Sequence, residues 1–541
     1  MNNAIFQLRE PHSEPVFNYL PGSPEYIEMM SELKRMSEDQ IDIPLIIGGK
    51  EVRTGNIGTV VSPNNHEKVL ATYHKAGEKE VKMAIQAAME AKEEWGNMSW
   101  VERVSIFMKM AELLSKKYRY LINAATMLGQ GKNLFQAEID AACESIDYLR
   151  FNSYFVSKLY DDQPTSDTAA LNRLEFRPLE GFVFAVSPFN FTAIGLNLCM
   201  SPALMGNTIV WKPATTALLS NYLLMKIYKE AGLPDGVINF IPGPGSVVGN
   251  IVMEDKDLAG IHFTGGTNTF NHLWKTTAAN LDRYVSYPKL IGETGGKDFI
   301  VVHNSADPQE VAVAIARGAF EYQGQKCSAA SRSYIPKSLW PEIHTKLLSI
   351  VNEMKVGDVS DVNNFVNAVI DKTAFDNIMN YIKFAAEAKD AEILCGGKGD
   401  DSIGYFIQPT VILTSNPHFK TMEEEIFGPV MTIYVYNDED WDETLKMVNA
   451  TSPYALTGSV FARDRQTIIE ACRTLRYAAG NFYYNDKPSG AMVGMQPFGG
   501  ARKSGTNDKA GGHLNLIRWT SPRTIKETYI PATNFKYPYM K

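Results

Sequence analysis

The stretch Gly181-Phe182-Val183-Phe184-Ala185-Val186-Ser187-Pro188-Phe189-Asn190 joins a short apolar run to a polar, proline-bearing turn. A run of this length between Gly and Pro reads as a strand buried on both faces. The texture recurs downstream. Thr208-Ile209-Val210-Trp211 ends at Lys212-Pro213, and a helical segment from Ser220 to Ala231 passes through Gly232-Leu233-Pro234-Asp235-Gly236 into Val237-Ile238-Asn239-Phe240-Ile241. Gly260-Ile261-His262-Phe263 then ends at Thr264-Gly265-Gly266. Strand, turn, helix and strand in this order predict right-handed βαβ units and a parallel sheet, an α/β fold. Ligands of such sheets sit beyond the carboxyl ends of the strands, where these polar residues fall. A second βα series begins near Phe299-Ile300-Val301-Val302, includes helical segments Val311 to Phe320 and Pro341 to Met354, and runs past Tyr483.

Ahead of the first series, after a short entry, the chain reads as helical. Glu78 to Trp95 puts Val81, Ile85, Ala88, Ala91 and Trp95 on one face, and Trp100 to Met127 repeats this with Val104, Phe107, Met108, Ala111 and Leu114. Both are packing faces. Thr168 to Arg177, polar and alternating, reads as an arm leaving the body, and the tail after Trp519 shows no periodicity of its own. Both need a partner surface.

The net charge of −8, with no Lys/Arg block, argues against nucleic acid as a partner. Five cysteines, odd in number and never in a CxxC pair, argue against a disulfide framework or a zinc site and for a reducing compartment. Met1 to Pro15 resembles neither a secretory leader nor an Arg-rich transit peptide. No uninterrupted apolar stretch approaches the ~18 residues of a membrane span. A cytoplasmic enzyme is the simplest picture.

Three side chains stand out for chemistry. Cys327 lies in Gly324-Gln325-Lys326-Cys327-Ser328, and its small neighbours Ser328, Ala329 and Ala330 allow close backbone approach and suit a helix start. A nucleophilic cysteine needs a positive field or amide dipoles to hold the thiolate; a buried cysteine is otherwise a small hydrophobe. Glu293 lies between Leu290-Ile291 and Gly295-Gly296, where poor solvation raises a carboxyl toward a general base; a helix cap or a partner for Lys297 is the alternative. Asn190 carries an amide donor at a strand end and suits an oxyanion or a turn equally. Gly243-Pro244-Gly245-Ser246-Val247-Val248-Gly249 misses the dinucleotide fingerprint by one residue of spacing, and Gly265-Gly266-Thr267 is a second possible phosphate cradle.

Taken in order, Ser187-Pro188-Phe189-Asn190-Phe191, Trp211-Lys212-Pro213, Phe263-Thr264-Gly265, Glu293-Thr294-Gly295-Gly296-Lys297, Gly324-Gln325-Lys326-Cys327, Glu424-Glu425-Ile426-Phe427-Gly428-Pro429 and Pro497-Phe498-Gly499-Gly500 resemble the aldehyde dehydrogenase superfamily across nearly the whole chain. Within it the chain is most similar to the Δ1-pyrroline-5-carboxylate dehydrogenases, on Ser187 to Leu196, Phe320 to Arg332, Gly480 to Lys487, Gly490 to Gly494 and Ser504 to Lys509. The resemblance implies two doubly wound parallel-sheet domains, one for cofactor and one catalytic, with a small oligomerisation arm. It divides the chain into a cofactor-binding part at 1–160 and 181–291, an arm at 161–180, a catalytic domain at 292–515 and an oligomerisation tail at 516–541. It further implies Cys327 as nucleophile, Glu293 as general base and Asn190 as oxyanion donor. NAD would be held by Ser187, Lys212, Gly265, Gly266, Thr267, Asn268, Thr269, Glu425 and Phe427. Glutamate semialdehyde would be held by Ser328 and the Gly490 and Ala491 amides at its carboxylate, and by Phe191 and Phe498 along its aliphatic part. No metal is implied. A homodimer or an assembly of dimers, without nucleic acid or membrane, is the implied state.

Two departures from the superfamily pattern stand out. The acidic residue that favours NAD over NADP is replaced by Thr215, and a phosphate-loop serine by Gly266. Eukaryotic members are mitochondrial with a presequence, so the chain reads as bacterial and cytoplasmic or as a processed matrix form. Three other readings stay open: action on another ω-semialdehyde such as succinate semialdehyde, a coenzyme-A-dependent acylating enzyme, for which Glu293 has no use, and recruitment as a lens-type structural protein.

Overall fold

A computed structural model describes residues 6–541, so the first five residues of the Met1–Pro15 stretch lie outside it. Two seven-stranded sheets organise the chain. In the first the order is Lys289–Glu293, Leu258–Thr264, Phe182–Val186, Ile209–Lys212, Ile238–Phe240, Leu45–Ile47 and Lys50–Val52. The first five strands run parallel, and the last two add an antiparallel edge. The central strand Phe182–Val186 packs Phe182 and Phe184 on one face and Val183 and Ala185 on the other, all buried, which is why its sequence lacks alternation.

The second sheet runs Ala391–Cys395, Thr410–Thr414, Val430–Tyr436, Ala330–Pro336, Asp298–Val302, Thr457–Phe461 and Asn481–Tyr484, parallel apart from the antiparallel edge at Ala391–Cys395. The α/β expectation and its strand positions hold within one or two residues. Only Thr294-Gly295-Gly296-Lys297 separates the edge strand of the first sheet from Asp298–Val302 in the second. The carboxyl end of one sheet is thereby joined to the amino end of a central strand in the other.

Three expectations need correction. The entry before Glu78 is not merely a lead-in to helices. It holds a helix, Pro24–Glu38, and five strands between Ile41 and His74, of which the first three have only three residues each, too few to display a period. The pattern from Trp100 to Met127 is two helices, Trp100–Glu112 and Arg119–Gln130, joined by a π-helical turn at Leu113–Lys117, and Met110 rather than Met108 is buried. The tail, read as lacking periodicity, contains the strand Thr520–Thr528, which pairs antiparallel with Ala170–Pro178 over all nine positions. Its period is hidden because both faces of this ribbon are largely exposed.

The amino-terminal segment is clamped by buried charge. Arg119 Nη1 donates to Glu14 Oε1 at 2.6 Å, its Nη2 donates to the Pro15 carbonyl at 2.6 Å, and it pairs with Glu138. Tyr19 Oη donates to Glu138 Oε2 at 2.8 Å, and Arg119 and Glu138 are essentially inaccessible to solvent. Arg119→Met leaves the buried Glu138 without its cation, while Glu14 keeps Arg150, and breaking one buried pair in this way costs ~3–5 kcal/mol in comparable proteins. The expected outcome is a clearly lower thermal unfolding midpoint; an unshifted midpoint would mean that the clamp contributes nothing net.

Candidate active site

Cys327 sits in a turn between the helix Pro308–Phe320 and the strand Ala330–Pro336. The chain reaches it through Tyr322 and Gln323, both left-handed at φ +52° and +56°. Such residues cost ~1–3 kcal/mol each and persist only where the surroundings hold them. Here Tyr322 Oη donates to the Gln130 carbonyl at 2.9 Å, and Gln323 Nε2 donates to the carbonyls of Gly131 at 2.7 Å and Ala368 at 3.0 Å. The expected helix start after Cys327 is not formed. Ala330 instead opens a strand in register with Asp298, because Ala330–Pro336 fills a central place in the sheet and that tertiary context overrides local propensity.

Asn190, buried beyond the strand Phe182–Val186, donates from Nδ2 to the Gln325 carbonyl at 3.1 Å, two residues before Cys327. Glu293 ends its strand with Oε2 accepting from the Gly500 amide at 3.3 Å. Burial pushes its carboxyl well above the ordinary value, with Asp508 adding and the Gly500 amide and Lys509 opposing. This matches the expectation for Glu293. The thiol of Cys327 departs from the expected positive field. Burial raises it, Asp298, Glu293 and Glu425 raise it further, and the Ser328 amide opposes them. The thiol therefore rests neutral, and its proton must be removed as the nucleophile acts.

Gly295 and Gly296 hold these groups together by being small. A Cβ on Gly296 would stand 2.3 Å from the Cys327 carbonyl oxygen, and one on Gly295 would stand 2.0 Å from Glu425 Oε2. Glu425 Oε1 accepts from the Gly296 amide at 2.9 Å, and burial pushes its carboxyl up to about 7. Phe427 is left-handed at φ +58°, with its ring edge-on to Phe189 at 5.8 Å.

Of the residues assigned to cofactor, Ser187, Lys212 and Gly265 to Thr269 stand at or just after the carboxyl ends of strands in the first sheet, and Glu425 and Phe427 come from the segment before Val430–Tyr436 of the second. Ser187 donates its amide to the Lys212 carbonyl at 3.3 Å and accepts from Trp211 Nε1 at 2.9 Å. The Lys212 ammonium is lowered by desolvation alone, a mostly enclosed cation with no ion-pair partner among the described residues. Gly265 and Gly266 follow the strand Leu258–Thr264, and Thr267, Asn268 and Thr269 form the first turn of the helix Thr267–Ala279. Above Gly245 and Gly266 a Cβ would meet nothing within 4 Å, so open space faces two helix starts. An unpaired cation and two open helix starts at the carboxyl ends of one sheet, with the Glu425 carboxylate against Gly295, fit a dinucleotide.

On the substrate side, Phe191 lies beneath Lys132 Nζ at 3.8 Å, Ser328 is buried beside Cys327, and Phe498 exchanges backbone hydrogen bonds with Ala510. Gly490 and Ala491 have no hydrogen bond to the Cys327 turn among the described residues; their connection to it passes through Lys487, Glu321 and Lys326.

Sequence reasoning missed several buried groups here. Lys132 pairs with Asp140 at 2.7 Å and also faces the Tyr322 ring at 4.5 Å. Asp140 accepts from the amides of Thr192 and Ala193 at 3.0 and 2.9 Å, capping the helix that follows Asn190 and Phe191. Glu144, pushed up to about 8 by burial and Asp140, and Tyr148, raised by burial with Glu144, Glu293 and Cys327, line the same enclosure. The available signal was the acidic spacing Glu138, Asp140, Glu144 and Asp147 within an otherwise apolar helical run.

Asp298 offers a pH test. Its Oδ1 accepts from the Thr457 amide at 2.7 Å, its Oδ2 has no partner, and burial pushes the carboxyl up to about 8. A carboxyl raised in the folded chain binds its proton more tightly there than in the unfolded chain. Its stabilisation is complete at acid pH and drains away as pH rises from ~4 through the folded value of about 8. Asp298→Asn is expected to flatten the fall of the thermal midpoint across that window; an equally steep fall in the variant would assign the pH dependence elsewhere.

The description "Aldehyde dehydrogenase family" belongs to the family model matched by residues 52–525. A Δ1-pyrroline-5-carboxylate dehydrogenase of Dictyostelium discoideum, described as mitochondrial, is 53% identical over 99% of this chain and 97% of its own length. The similarly named human protein is 48% identical, covering 98% and 94%. Among solved structures, the Mycobacterium tuberculosis Δ-pyrroline-5-carboxylate dehydrogenase bound with NAD superposes with a TM-score of 0.96 at 48% identity, covering the whole of both chains. With its two parallel sheets and the Cys327 turn between them, the chain belongs to the aldehyde dehydrogenase family.

Proposed function

We propose that the chain oxidises L-glutamate 5-semialdehyde, formed by hydrolysis of Δ1-pyrroline-5-carboxylate, to L-glutamate with NAD, as a step of proline catabolism. The observation that carries this is the convergence of Cys327, Glu293, Asn190 and Glu425 around the Gly295-Gly296 crossover, in a chain about half identical to proteins named for that activity. The relative solved with NAD supports the cofactor. Thr215, beside Tyr73, leaves the preference over NADP to the wider likeness.

In this reading Cys327 Sγ adds to the aldehyde carbon while its proton passes to the ionised form of Glu293 and from there to solvent, leaving Glu293 free to act again on water. Asn190 Nδ2 and the Cys327 amide donate to the developing oxyanion, an interaction worth roughly 10²–10³ in rate per donor. NAD, held by Ser187, Lys212 and Glu425, would supply the acceptor for the hydride lost from the tetrahedral carbon. Glu293 then takes a proton from the water that cleaves the thioester, and the raised carboxyl suits it to hold that proton until product leaves. Ser328 and the Gly490 and Ala491 amides receive the α-carboxylate, while Phe191 and Phe498 flank the aliphatic part. Ser187, Lys212, Gly265 to Thr269, Glu425 and Phe427 hold NAD. Glu293 also favours hydrolysis over transfer to coenzyme A, since the latter needs no activated water.

The domain scheme accompanies this proposal: cofactor binding by 1–160 with 181–291, catalysis by 292–515, and assembly through 161–180 with 516–541. The exposed ribbon Ala170–Pro178 with Thr520–Thr528, followed by exposed Ile530, Phe535, Tyr537 and Tyr539, supports a homodimer or an assembly of dimers. Among the described residues no helix is long and apolar enough to cross a membrane, and no cluster of His, Cys, Asp and Glu is arranged to hold a metal. Five free cysteines support a reducing compartment, the cytoplasm or, for a processed eukaryotic chain, the mitochondrial matrix.

Steady-state kcat/KM on glutamate semialdehyde, succinate semialdehyde and pentanal with NAD is expected to rank them in that order, and Cys327→Ala is expected to abolish turnover. Preference for succinate semialdehyde would overturn the substrate. Sedimentation of a chain ending at Trp519 is expected to show a smaller species than the full chain; an unchanged assembly would remove the ribbon from the interface.

A further inference from the structure

One buried carboxylate, Glu321, serves three cations. Its Oε1 accepts from Arg317 Nε at 2.8 Å, its Oε2 accepts from Lys326 Nζ at 3.1 Å, and Lys487 Nζ stands 3.9 Å away. The side chains of Glu321 and Lys326 are each 4% exposed and that of Lys487 is 16% exposed, whereas Arg317 reaches the surface. Asp486 is the other acid near Lys487, and it is exposed, with Oδ1 accepting from the Lys487 backbone amide at 2.8 Å. The enclosed cluster therefore carries more positive than negative charge. Burying surplus charge is costly unless an anion completes the site.

The surplus lies under the loop that begins at Ser489. Lys487 Nζ donates to the Ser489 carbonyl at 2.8 Å. Gly490 is left-handed at φ +93°, and a Cβ added there would stand 2.8 Å from the same Nζ. The ammonium thus sits directly against the Gly490 peptide. Ser489 Oγ is buried without a hydrogen-bond partner, a donor available to a further group. On its other side the cluster reaches the nucleophile turn, because Lys326 immediately precedes Cys327.

We propose that Lys487 is a specificity-determining positioning residue that fixes the Gly490 turn through the Ser489 carbonyl and draws a carboxylate-bearing aldehyde to that loop with charge that Glu321 leaves uncompensated. The inference rests on the carboxylated-substrate reading above. It adds a cause for the preference: backbone amides shape the seat, and the cation beneath them sets its sign.

The test compares kcat/KM for glutamate semialdehyde with that for pentanal, at saturating NAD, in wild type, Lys487→Met, Lys487→Arg and Arg317→Met. Lys487→Met is expected to lower the ratio at least about tenfold, mainly through KM for the carboxylated substrate, and Lys487→Arg to keep it within about threefold of wild type. Arg317→Met, at the half-exposed edge of the cluster, is expected to lower the ratio by a smaller factor and decides the matter if Lys487→Met does not fold. Parallel loss on both substrates, or an unchanged ratio in the Lys487 and Arg317 variants, would overturn the assignment. A wild type without preference for the carboxylated aldehyde would instead sink the functional reading beneath it.

Discussion

Backbone contact at Gly295-Gly296 is the constraint on which the site depends. Four residues cross from the edge of one sheet to the middle of the other, and the crossing segment lies against the Cys327 carbonyl on one side and the Glu425 carboxyl on the other. Neither approach leaves room for a methyl group. A nucleophile from the second sheet, the Glu293 carboxylate from the end of the first and the Glu425 carboxylate from a third segment are thereby held at separations set by covalent geometry and van der Waals radii. Side-chain packing then refines them: the Asn190 amide to Gln325, the Gly500 amide to Glu293, and the paired left-handed residues before Cys327.

The electrostatics follow from enclosure. Glu293, Asp298 and Glu425 are close enough to Cys327 to raise its thiol, and each is itself raised by burial. Enclosure in the protein alone therefore favours the neutral thiol of Cys327 over a standing thiolate. Charge is concentrated instead on the flanks. Lys132 with Asp140 braces the Asn190–Phe191 turn, and Arg317, Lys326 and Lys487 around Glu321 brace the opposite loop. Buried ion pairs of this sort add little net stability, but they hold side chains in one arrangement.

Much of this was legible in the amino-acid order, for identifiable reasons. The strands Phe182–Val186, Ile209–Lys212 and Asp298–Val302 are continuous apolar runs because both faces are covered, and their polar termini mark the ligand edge. Cys327, Glu293 and Asn190 could be picked out because each interrupts small or apolar neighbours. The strand after Cys327 was misread because Ala329 and Ala330 have strong helix propensity, which the central place of Ala330–Pro336 in the sheet overrides. Thr520–Thr528 was unreadable alone since its partner lies some 350 residues earlier and neither face is buried. The Lys132–Asp140 pair and the three cations around Glu321 escaped for another reason: a single charged residue reads as solvated until tertiary packing encloses it.

Covalent capture of the substrate by Cys327, released by water that Glu293 activates, is the central claim. Its most direct test is the intact mass of Glu293→Gln protein after mixing with glutamate semialdehyde and NAD, followed by mapping of the modified peptide. The account predicts one glutamyl group accumulating on the peptide that contains Cys327, with NADH formed in no more than one equivalent per site. Continuous NADH production at the wild-type rate, or an adduct on any of the other four cysteines, would contradict it.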